Sequence, residues 1–267
     1  MNLLEARGVS KAYRTFSLVG ATKAKPVLNH ISMEIAVGET VALLGRSGCG
    51  KSTLAMLLVG LERPDRGDIL FGGRSLTSLD KAGWQNLRKT VQMVFQDPLG
   101  AANPRATVKD IVAEPLNYLC GLTGQAAAER VRELLSSVGL NWAEANKFPH
   151  QLSGGQLQRV CIARALAPDP KLIILDEAVS NLDLHLQIQM LDLFEELRRT
   201  KNVSYLFVTH DLRLVEKFCA RVLVMDQGRI VEQTPVSGSL AFSSSEGRAL
   251  SAAVLPPMPR QLLAAGG

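Results

Sequence analysis

The stretch that decides the fold is TVALLGRSGCGKSTLAMLLVG, residues 40–60. It opens with a short apolar run that ends at Gly45 and predicts a buried strand. The glycine-rich segment GRSGCGKS, residues 45–52, comes next, and leucines then recur at helical spacing from Leu54 to Leu61. A strand, a glycine-rich loop and a helix in this order predict one unit of an α/β fold with a ligand at the end of the strand.

The segment GRSGCGKS fits the pattern G-x-x-x-x-G-K-[ST], which binds phosphate groups. Glycines let backbone N–H groups turn inward around the β- and γ-phosphates, and the positive end of the following helix points at the same anion. Lys51 adds a mobile positive charge, and the Ser52 hydroxyl is a candidate Mg²⁺ ligand. The predicted phosphate-binding residues are Gly45, Arg46, Ser47, Gly48, Cys49, Gly50, Lys51, Ser52 and Thr53.

A second candidate site is the run LIILDE, residues 172–177, which places Asp176 and Glu177 at the carboxyl end of a buried strand. Open α/β sheets hold their ligands at this edge. Two adjacent carboxylates are costly there unless a cation lies nearby. We therefore predict that Asp176 holds Mg²⁺ through water and that Glu177 polarises a water for in-line attack on the γ-phosphate.

The third element is LSGGQ, residues 152–156, which directly precedes an amphipathic helix. A serine and two glycines at a helix start predict a second anion-binding nest. Taken alone, the same pattern is typical of an ordinary helix N-cap. The candidate binding residues here are Ser153, Gly154, Gly155 and Gln156.

Composition narrows the class of protein. The 267 residues are 46% hydrophobic and 21% charged, which excludes a disordered, collagen-like or disulfide-scaffold chain. The longest nearly uninterrupted apolar run, Leu54–Leu61, is too short to cross a bilayer. Glu5 and Arg7 lie where a signal peptide would be apolar, so we expect the protein to stay on the cytoplasmic side.

Net charge and cysteine content limit the kinds of partner and metal site that we expect for this chain. A net charge of +5 permits nucleic acid, an anionic membrane surface or a phosphorylated ligand. The sequence has no Lys/Arg block and only 5% aromatic residues, so we expect no nucleic acid partner. The four cysteines lack ligand-like spacing, which suits a reducing compartment and argues against a zinc or iron–sulfur site.

We predict one domain, residues 1–267, of the α/β class with a phosphate-loop NTPase core. Residues 1–96 and 168–233 form this core together with an N-terminal antiparallel β subdomain, in which residues 17–25 form a loop. An inserted α-helical subdomain, with three helical segments separated by glycines and a proline, covers residues 97–167. Residues 234–267 form a partly flexible C-terminal extension with at most one short helix.

The order of the motifs resembles the nucleotide-binding subunits of ATP-binding-cassette (ABC) transporters over nearly the whole chain. This resemblance implies that the subunits pair and enclose ATP and Mg²⁺ between them, with LSGGQ of one subunit gripping the γ-phosphate held by the phosphate loop of the other. The matching segments are, in order, GRSGCGKS, Gln96 at the close of a strand, LSGGQ, LIILDE, SNLD at residues 180–183, and His210 at the close of the next strand.

The resemblance also implies a role for single residues. Tyr13 matches the aromatic residue that stacks on adenine, and Gln96 matches the glutamine that senses Mg²⁺ and the attacking water. Glu177 matches the general base, His210 the histidine that contacts the γ-phosphate, and Asp183 the residue that crosses the dimer interface. By spacing alone, Tyr13 is a packed aromatic and His210 an ordinary strand-end histidine.

Two segments, FPHQLSGGQLQR and SSEGRALSAAVLPP, resemble the dipeptide, oligopeptide and nickel importer group, and further segments resemble its nickel importers. SNLD, where most of the family has SALD, agrees with that likeness. The implied partners are a second related ATPase subunit, two membrane permeases and a periplasmic nickel-binding protein. The implied location is peripheral, at the cytoplasmic face of the inner membrane.

Other functions stay open at this point. The same ATPase role in a peptide or metallophore importer, an exporter, a soluble ABC ATPase acting on DNA repair, chromosomes or ribosomes, and a simple phosphate-loop kinase are the alternatives. The four histidines and four cysteines form no cluster with ligand spacing, so we do not expect this subunit to bind nickel itself. The nickel substrate rests on resemblance alone.

Overall fold

The computed structural model describes residues 2–15, 23–179, 182–238 and 240–253. Its strands are β1 (Asn2–Thr15), β2 (Lys23–Ala36), β3 (Thr40–Gly45), β4 (Arg66–Phe71), β5 (Arg74–Ser75), β6 (Val91–Val94), β7 (Leu172–Asp176), β8 (Ser204–Val208), β9 (Arg221–Asp226) and β10 (Arg229–Pro235). Its α-helices are α1 (Lys51–Leu58), α2 (Lys81–Thr90), α3 (Pro98–Ala101), α4 (Val108–Cys120), α5 (Gly124–Ser137), α6 (Gly154–Leu166), α7 (Leu184–Lys201), α8 (Leu212–Phe218) and α9 (Ser245–Ala253).

The strands form two sheets. The antiparallel sheet has the order β2-β1-β4-β5, and the central sheet has the order β10-β9-β3-β8-β7-β6. In the central sheet β9, β3, β8, β7 and β6 are parallel, and the β9–β10 hairpin adds one antiparallel strand. This architecture confirms the predicted α/β class with an N-terminal antiparallel sheet. It also brings the carboxyl ends of the five parallel strands to one edge.

The central sheet separates two apolar clusters. Along β3, Val41 and Leu43 belong to the cluster shared with α1 and the antiparallel sheet. Ala42 and Leu44 belong to the cluster on the opposite face, which packs against the longer helices. Successive side chains of a strand point to opposite faces, so a strand covered on both sides is apolar throughout. This explains why β3, β7 and β8 are continuous apolar runs in the sequence.

Helix termini match their local sequence. Thr107 and Asp110 form a capping box at the start of α4, and Gly121 ends that helix in the left-handed conformation at φ 67°. Helix α1 ends at Leu58, before Gly60 at φ 74°, so the predicted helical spacing does not extend to Leu61. None of the helices in the described ranges combines the length and apolar character that a bilayer crossing requires.

Two parts of the antiparallel sheet differ from expectation. The loop predicted over residues 17–25 is wrong at its end, because residues 23–25 already belong to β2 and pair with β1. Residues 17–22 lie outside the described residues. No element was predicted between residues 62 and 90, where the structure has β4, β5 and α2. Strand β4 pairs with β1 and so continues the antiparallel sheet.

Candidate functional site

The phosphate loop connects β3 to α1, and its backbone needs glycine. A Cβ atom added to Gly45 would lie 2.3 Å from the Met225 carbonyl oxygen, and Gly50 has a φ of 109° that side chains rarely tolerate. Gly50 is the N-cap of α1 and provides no capping side chain. The first N–H groups of α1 are therefore available to an anion.

The side chain of Lys51 turns back onto the phosphate loop that precedes it. Its side chain is buried, and Nζ donates to the carbonyl oxygens of Gly45, at 2.8 Å, and Arg46, at 3.2 Å. A buried ammonium group is costly unless it is paired, and these carbonyl groups supply partial negative charge. Phosphate oxygens are stronger partners for the same ammonium group.

A cavity of about 200 Å³ lies over this loop at the carboxyl edge of the central sheet. It brings together residues from the phosphate loop, the loop after β6 and the end of β7. The lining residues are Val27, Ser47, Gly48, Gly50, Lys51, Ser52, Thr53, Gln96, Asp176 and Glu177.

Asp176 is the buried carboxylate of the site, with 4% of its surface exposed. Burial raises its pKa, and the neighbouring Glu177 charge raises it further, whereas a hydrogen bond with Ser52 and the charge of Lys51 lower it. A buried carboxylate beside a second carboxylate and a hydroxyl group forms the all-oxygen set that Mg²⁺ prefers. The chemistry of these donors fits a bound magnesium ion.

Glu177 follows β7 in a strained backbone conformation at φ 48°, which is rare for residues other than glycine. Its N–H donates to the Val208 carbonyl oxygen at 2.9 Å, which ties the strained residue to β8. Its carboxylate accepts a 2.7 Å hydrogen bond from Gln96 Nε2. His210 Nδ1 lies 3.5 Å from the other carboxylate oxygen. Strain of this kind persists only where surrounding structure enforces it, and it clusters at functional sites.

Gln96 and His210 do not close strands, which corrects the sequence prediction. Strands β6 and β8 end at Val94 and Val208, so each residue lies two positions beyond its strand. The sequence pattern concealed these ends, because Phe95 continues the apolar run beyond β6, and Thr209, although polar, is buried beyond β8. Leaving the ladder lets both side chains turn toward Glu177.

Tyr13 lies on β1 and is 37% exposed. Its hydroxyl group donates to the Glu62 carboxylate, which no sequence pattern had singled out. Val27 on β2 also lines the cavity, and no sequence motif includes it because its side chain offers no polar group. Neither Glu62 nor Val27 carries a local sequence signal, because Glu62 contacts Tyr13 and Val27 lines the cavity only through tertiary packing.

The LSGGQ segment forms the N-terminus of α6. Ser153 is the N-cap and accepts from the Gln156 N–H at 3.2 Å, while Gln156 Oε1 accepts from the Ser153 N–H at 2.9 Å. Gln156 Nε2 donates to Glu144 at 2.6 Å. The described residues lining the cavity do not include Ser153, Gly154, Gly155 or Gln156. The phosphate loop and the LSGGQ segment therefore do not meet at this cavity in the described part of one chain.

Asp183 is the N-cap of α7 and accepts from the Leu186 N–H at 3.0 Å. Like Tyr13, it is not among the described residues that line the cavity. Ser180 and Asn181, which precede it in the SNLD motif, lie outside the described residues.

The fold and the site define a phosphate-loop ATPase: a parallel sheet whose carboxyl edge joins a glycine loop, a lysine and two adjacent carboxylates. A family model described as ABC transporter matches residues 28–180, and the chain belongs to this family. The predicted resemblance is thereby confirmed, and with it ATP binding and the ATPase class.

Curated relatives are similar along nearly the whole chain. The nickel import ATP-binding protein NikE of Rhodospirillum rubrum is 59% identical over 96% of this chain and 93% of its own length. NikE proteins of Brucella suis and Escherichia coli K12 are 55% and 52% identical, each over 97% of both chains.

Solved structures agree with the fold. The dimeric ATP-binding cassette MJ0796 bound to ADP and Pi has a TM-score of 0.80 and 28% identity, covering 88% of this chain and all of its own. The structure of cbiO1 from Clostridium perfringens, part of the transporter complex cbiONQ, has a TM-score of 0.70 and 28% identity, covering 94% of this chain and 91% of its own.

Proposed function

We propose that this chain is the ATP-hydrolysing subunit of a nickel importer. The observation that carries the proposal is the 52–59% identity to NikE proteins over at least 96% of the chain. The same ATPase role in a peptide or metallophore importer is the alternative. The described residues contain no group of three or more His, Cys, Asp or Glu side chains that could hold a metal ion.

In the proposed reaction the phosphate loop binds ATP through its backbone amides, and Lys51 exchanges the Gly45 and Arg46 carbonyl oxygens for phosphate oxygens. Glu177 takes the proton of the attacking water as the general base. Gln96 orients the Glu177 carboxylate, and His210 contacts the γ-phosphate. Tyr13 stacks on the adenine ring.

Ser52, Gln96 and Asp176 would hold the magnesium ion, since all three line the cavity and offer oxygen atoms. When bound, Mg²⁺ neutralises charge that develops on the phosphate oxygens. Asp176 would hold it through water, and Ser52 through its hydroxyl group.

A second ATPase subunit completes the site. Ser153 and the N-terminus of α6 are separate from the cavity lining in the described residues, so their anion-binding groups would serve a nucleotide held by a partner. The dimeric form of the cassette MJ0796 supports this arrangement. We propose that the partner is a related ATPase subunit in a heterodimer, and that Asp183 crosses the interface.

The permease would dock on a groove of about 480 Å³ between β6 and α4. Its lining includes Leu61, Phe95 and Tyr118, and Tyr118 is 77% exposed. Phe95 lines the groove and directly precedes Gln96, which lines the site cavity. A displacement of Phe95 by the permease would therefore move Gln96. We propose that residues 97–167 form a helical subdomain that transmits the movement between the permease and the site. It is inserted between the two core segments, residues 1–96 and 168–233, and residues 234–267 form an extension.

The complete importer would contain two permeases and a periplasmic nickel-binding protein, with this chain peripheral at the cytoplasmic face of the inner membrane. The proposal is tested in a bacterial strain that lacks the chromosomal gene for this chain, by measuring its uptake of radioactive nickel. The wild-type chain should restore uptake, and Glu177→Gln should not. Restoration of dipeptide uptake without nickel uptake would select the alternative substrate. Absence of both, with no permease co-purifying, would indicate a soluble ATPase.

A further inference from the structure

The segment that follows α1 is fixed along β1. The Asp65 N–H donates to the Ser10 carbonyl oxygen at 2.9 Å, and the Asp65 carboxylate accepts from the Ala12 N–H at 2.7 Å. Lys11 Nζ donates to the Arg63 carbonyl oxygen at 2.7 Å. None of these three hydrogen bonds involves the Glu62 side chain, so they remain when Glu62 is replaced.

Glu62 lies in this fixed segment and accepts a hydrogen bond from the Tyr13 hydroxyl group. The Tyr13 hydroxyl oxygen is 2.7 Å from both carboxylate oxygens of Glu62. Burial raises the pKa of Tyr13, Glu62 raises it further, and a hydrogen bond with Thr53 lowers it. The phenol therefore stays protonated at neutral pH and donates a charge-assisted hydrogen bond.

Lys11 completes the frame around the ring. Its Nζ lies 5.7 Å from the centroid of the Tyr13 ring and 3.5 Å from a Glu62 carboxylate oxygen. The ammonium group lies over one face of the ring and offsets the negative charge of the Glu62 carboxylate. The ring keeps exposed surface for a further planar partner, since 37% of Tyr13 is accessible.

We propose that Glu62 is a positioning residue for the nucleotide base: it holds the Tyr13 ring in the orientation that stacks on adenine. The inference rests on the stacking role proposed for Tyr13. In this proposal Glu62 does not contact the nucleotide itself; it acts through its hydrogen bond with the phenol, and its ion pair with Lys11 supports the same arrangement. Without this hydrogen bond the ring rotates about two side-chain torsions, and binding then has to restrict that rotation.

The test compares two ligands that differ in the base. Calorimetry on the purified full-length chain gives dissociation constants for MgATP and for magnesium tripolyphosphate, which has the phosphates without adenosine. Glu62→Ala should weaken ATP binding about three- to tenfold and leave tripolyphosphate binding unchanged. Glu62→Gln should bind ATP within about twofold of the wild type, because its amide oxygen still accepts the phenol.

Glu34→Ala is the matched control. Glu34 lies in the antiparallel sheet that contains Tyr13, but its carboxylate accepts a hydrogen bond from Asn2 and not from Tyr13. This variant should bind both ligands like the wild type. Equal weakening of ATP and tripolyphosphate by Glu62→Ala, or unchanged ATP binding, overturns the inference for Glu62.

Tyr13→Ala separates the inference from its premise. This variant should weaken ATP binding about tenfold or more and spare tripolyphosphate. ATP binding that does not respond to Tyr13→Ala would refute the stacking role and the Glu62 inference with it. ATP binding that responds to Tyr13→Ala and not to Glu62→Ala would refute the Glu62 inference alone.

Discussion

Gln96 Nε2 donates a 2.7 Å hydrogen bond to the carboxylate of Glu177, across 81 residues of sequence. The contact joins the loop after β6, next to the proposed permease groove, to the residue proposed as the general base. His210 Nδ1 lies 3.5 Å from the second carboxylate oxygen. Both oxygens of Glu177 thus have a neighbour on a loop, so a shift of either loop changes the contacts of the Glu177 carboxylate.

Replacing Glu177 by Gln should reduce ATP hydrolysis by about 10²-fold or more, because the amide cannot take the proton of the attacking water. ATP binding should persist, since Lys51 and the loop amides remain. Phosphate release and calorimetry with MgATP measure the two quantities. Turnover at the wild-type rate would remove Glu177 from the role of base.

Lys51→Ala should weaken MgATP binding about ten- to a hundredfold, because it removes the charge-assisted partner of the phosphate oxygens. Calorimetry on the purified chain gives the affinity. Lys89→Ala, which removes an exposed lysine of α2, is the control and should bind MgATP like the wild type. Unchanged affinity in Lys51→Ala would contradict the phosphate-loop assignment.

The sequence reveals the site where its chemistry is local. The phosphate loop, α1 and the Asp176–Glu177 pair lie in contiguous segments whose glycine and apolar patterns follow directly from the backbone they require. Helix α2 carries no such pattern, because Leu87 is its only buried residue in the described structure. Strand β4 opens with polar, exposed residues and shows its identity only when it pairs with β1.

Contacts between distant segments lie beyond sequence patterns. Tyr13 and Glu62 are separated by 49 residues, and nothing near either one indicates the other. Gln96 and His210 were identified from the family resemblance, but their position beyond the strands was not, because apolar or buried residues continue past the last ladder hydrogen bond. A side chain that acts after a strand ends is placed by the loop, which no periodicity encodes.

Ser153→Arg should leave ATP binding of the isolated chain unchanged and abolish hydrolysis by the assembled transporter, because the bulky cation would occupy the anion site offered to the partner's nucleotide. Loss of the N-cap also costs about 1 kcal/mol of stability. Thr107→Ala removes the N-cap of α4 and controls for that loss without changing LSGGQ. Wild-type hydrolysis by an assembly carrying Ser153→Arg would refute the shared site.

Glu232 fastens the C-terminal segment to β10. Its carboxylate accepts from the Ser243 N–H and hydroxyl at 2.7 and 2.8 Å, from the Ser244 N–H at 3.0 Å, and from the Ser244 hydroxyl. Burial opposes the ionised form, yet these hydrogen bonds outweigh it and lower the pKa of Glu232 to about 2. The ionised Glu232 carboxylate therefore stabilises the folded chain relative to the unfolded one.

Because the folded pKa is depressed, the stabilisation is present above the unfolded pKa and lost as pH falls through the folded value. Glu232→Gln should lower the free energy of unfolding by about 1–3 kcal/mol at pH 7. The difference from wild type should shrink between about pH 5 and about pH 2, and urea unfolding at a series of pH values measures it.

Glu216→Gln is the control, since Glu216 bonds this segment through the Leu240 N–H. Among the described residues Glu216 accepts one such hydrogen bond, against four at Glu232, so Glu216→Gln should lower the free energy of unfolding less at pH 7. A stability difference for Glu232→Gln that stays constant from pH 7 to pH 3 would show that the carboxylate is not held in its ionised form by Ser243 and Ser244.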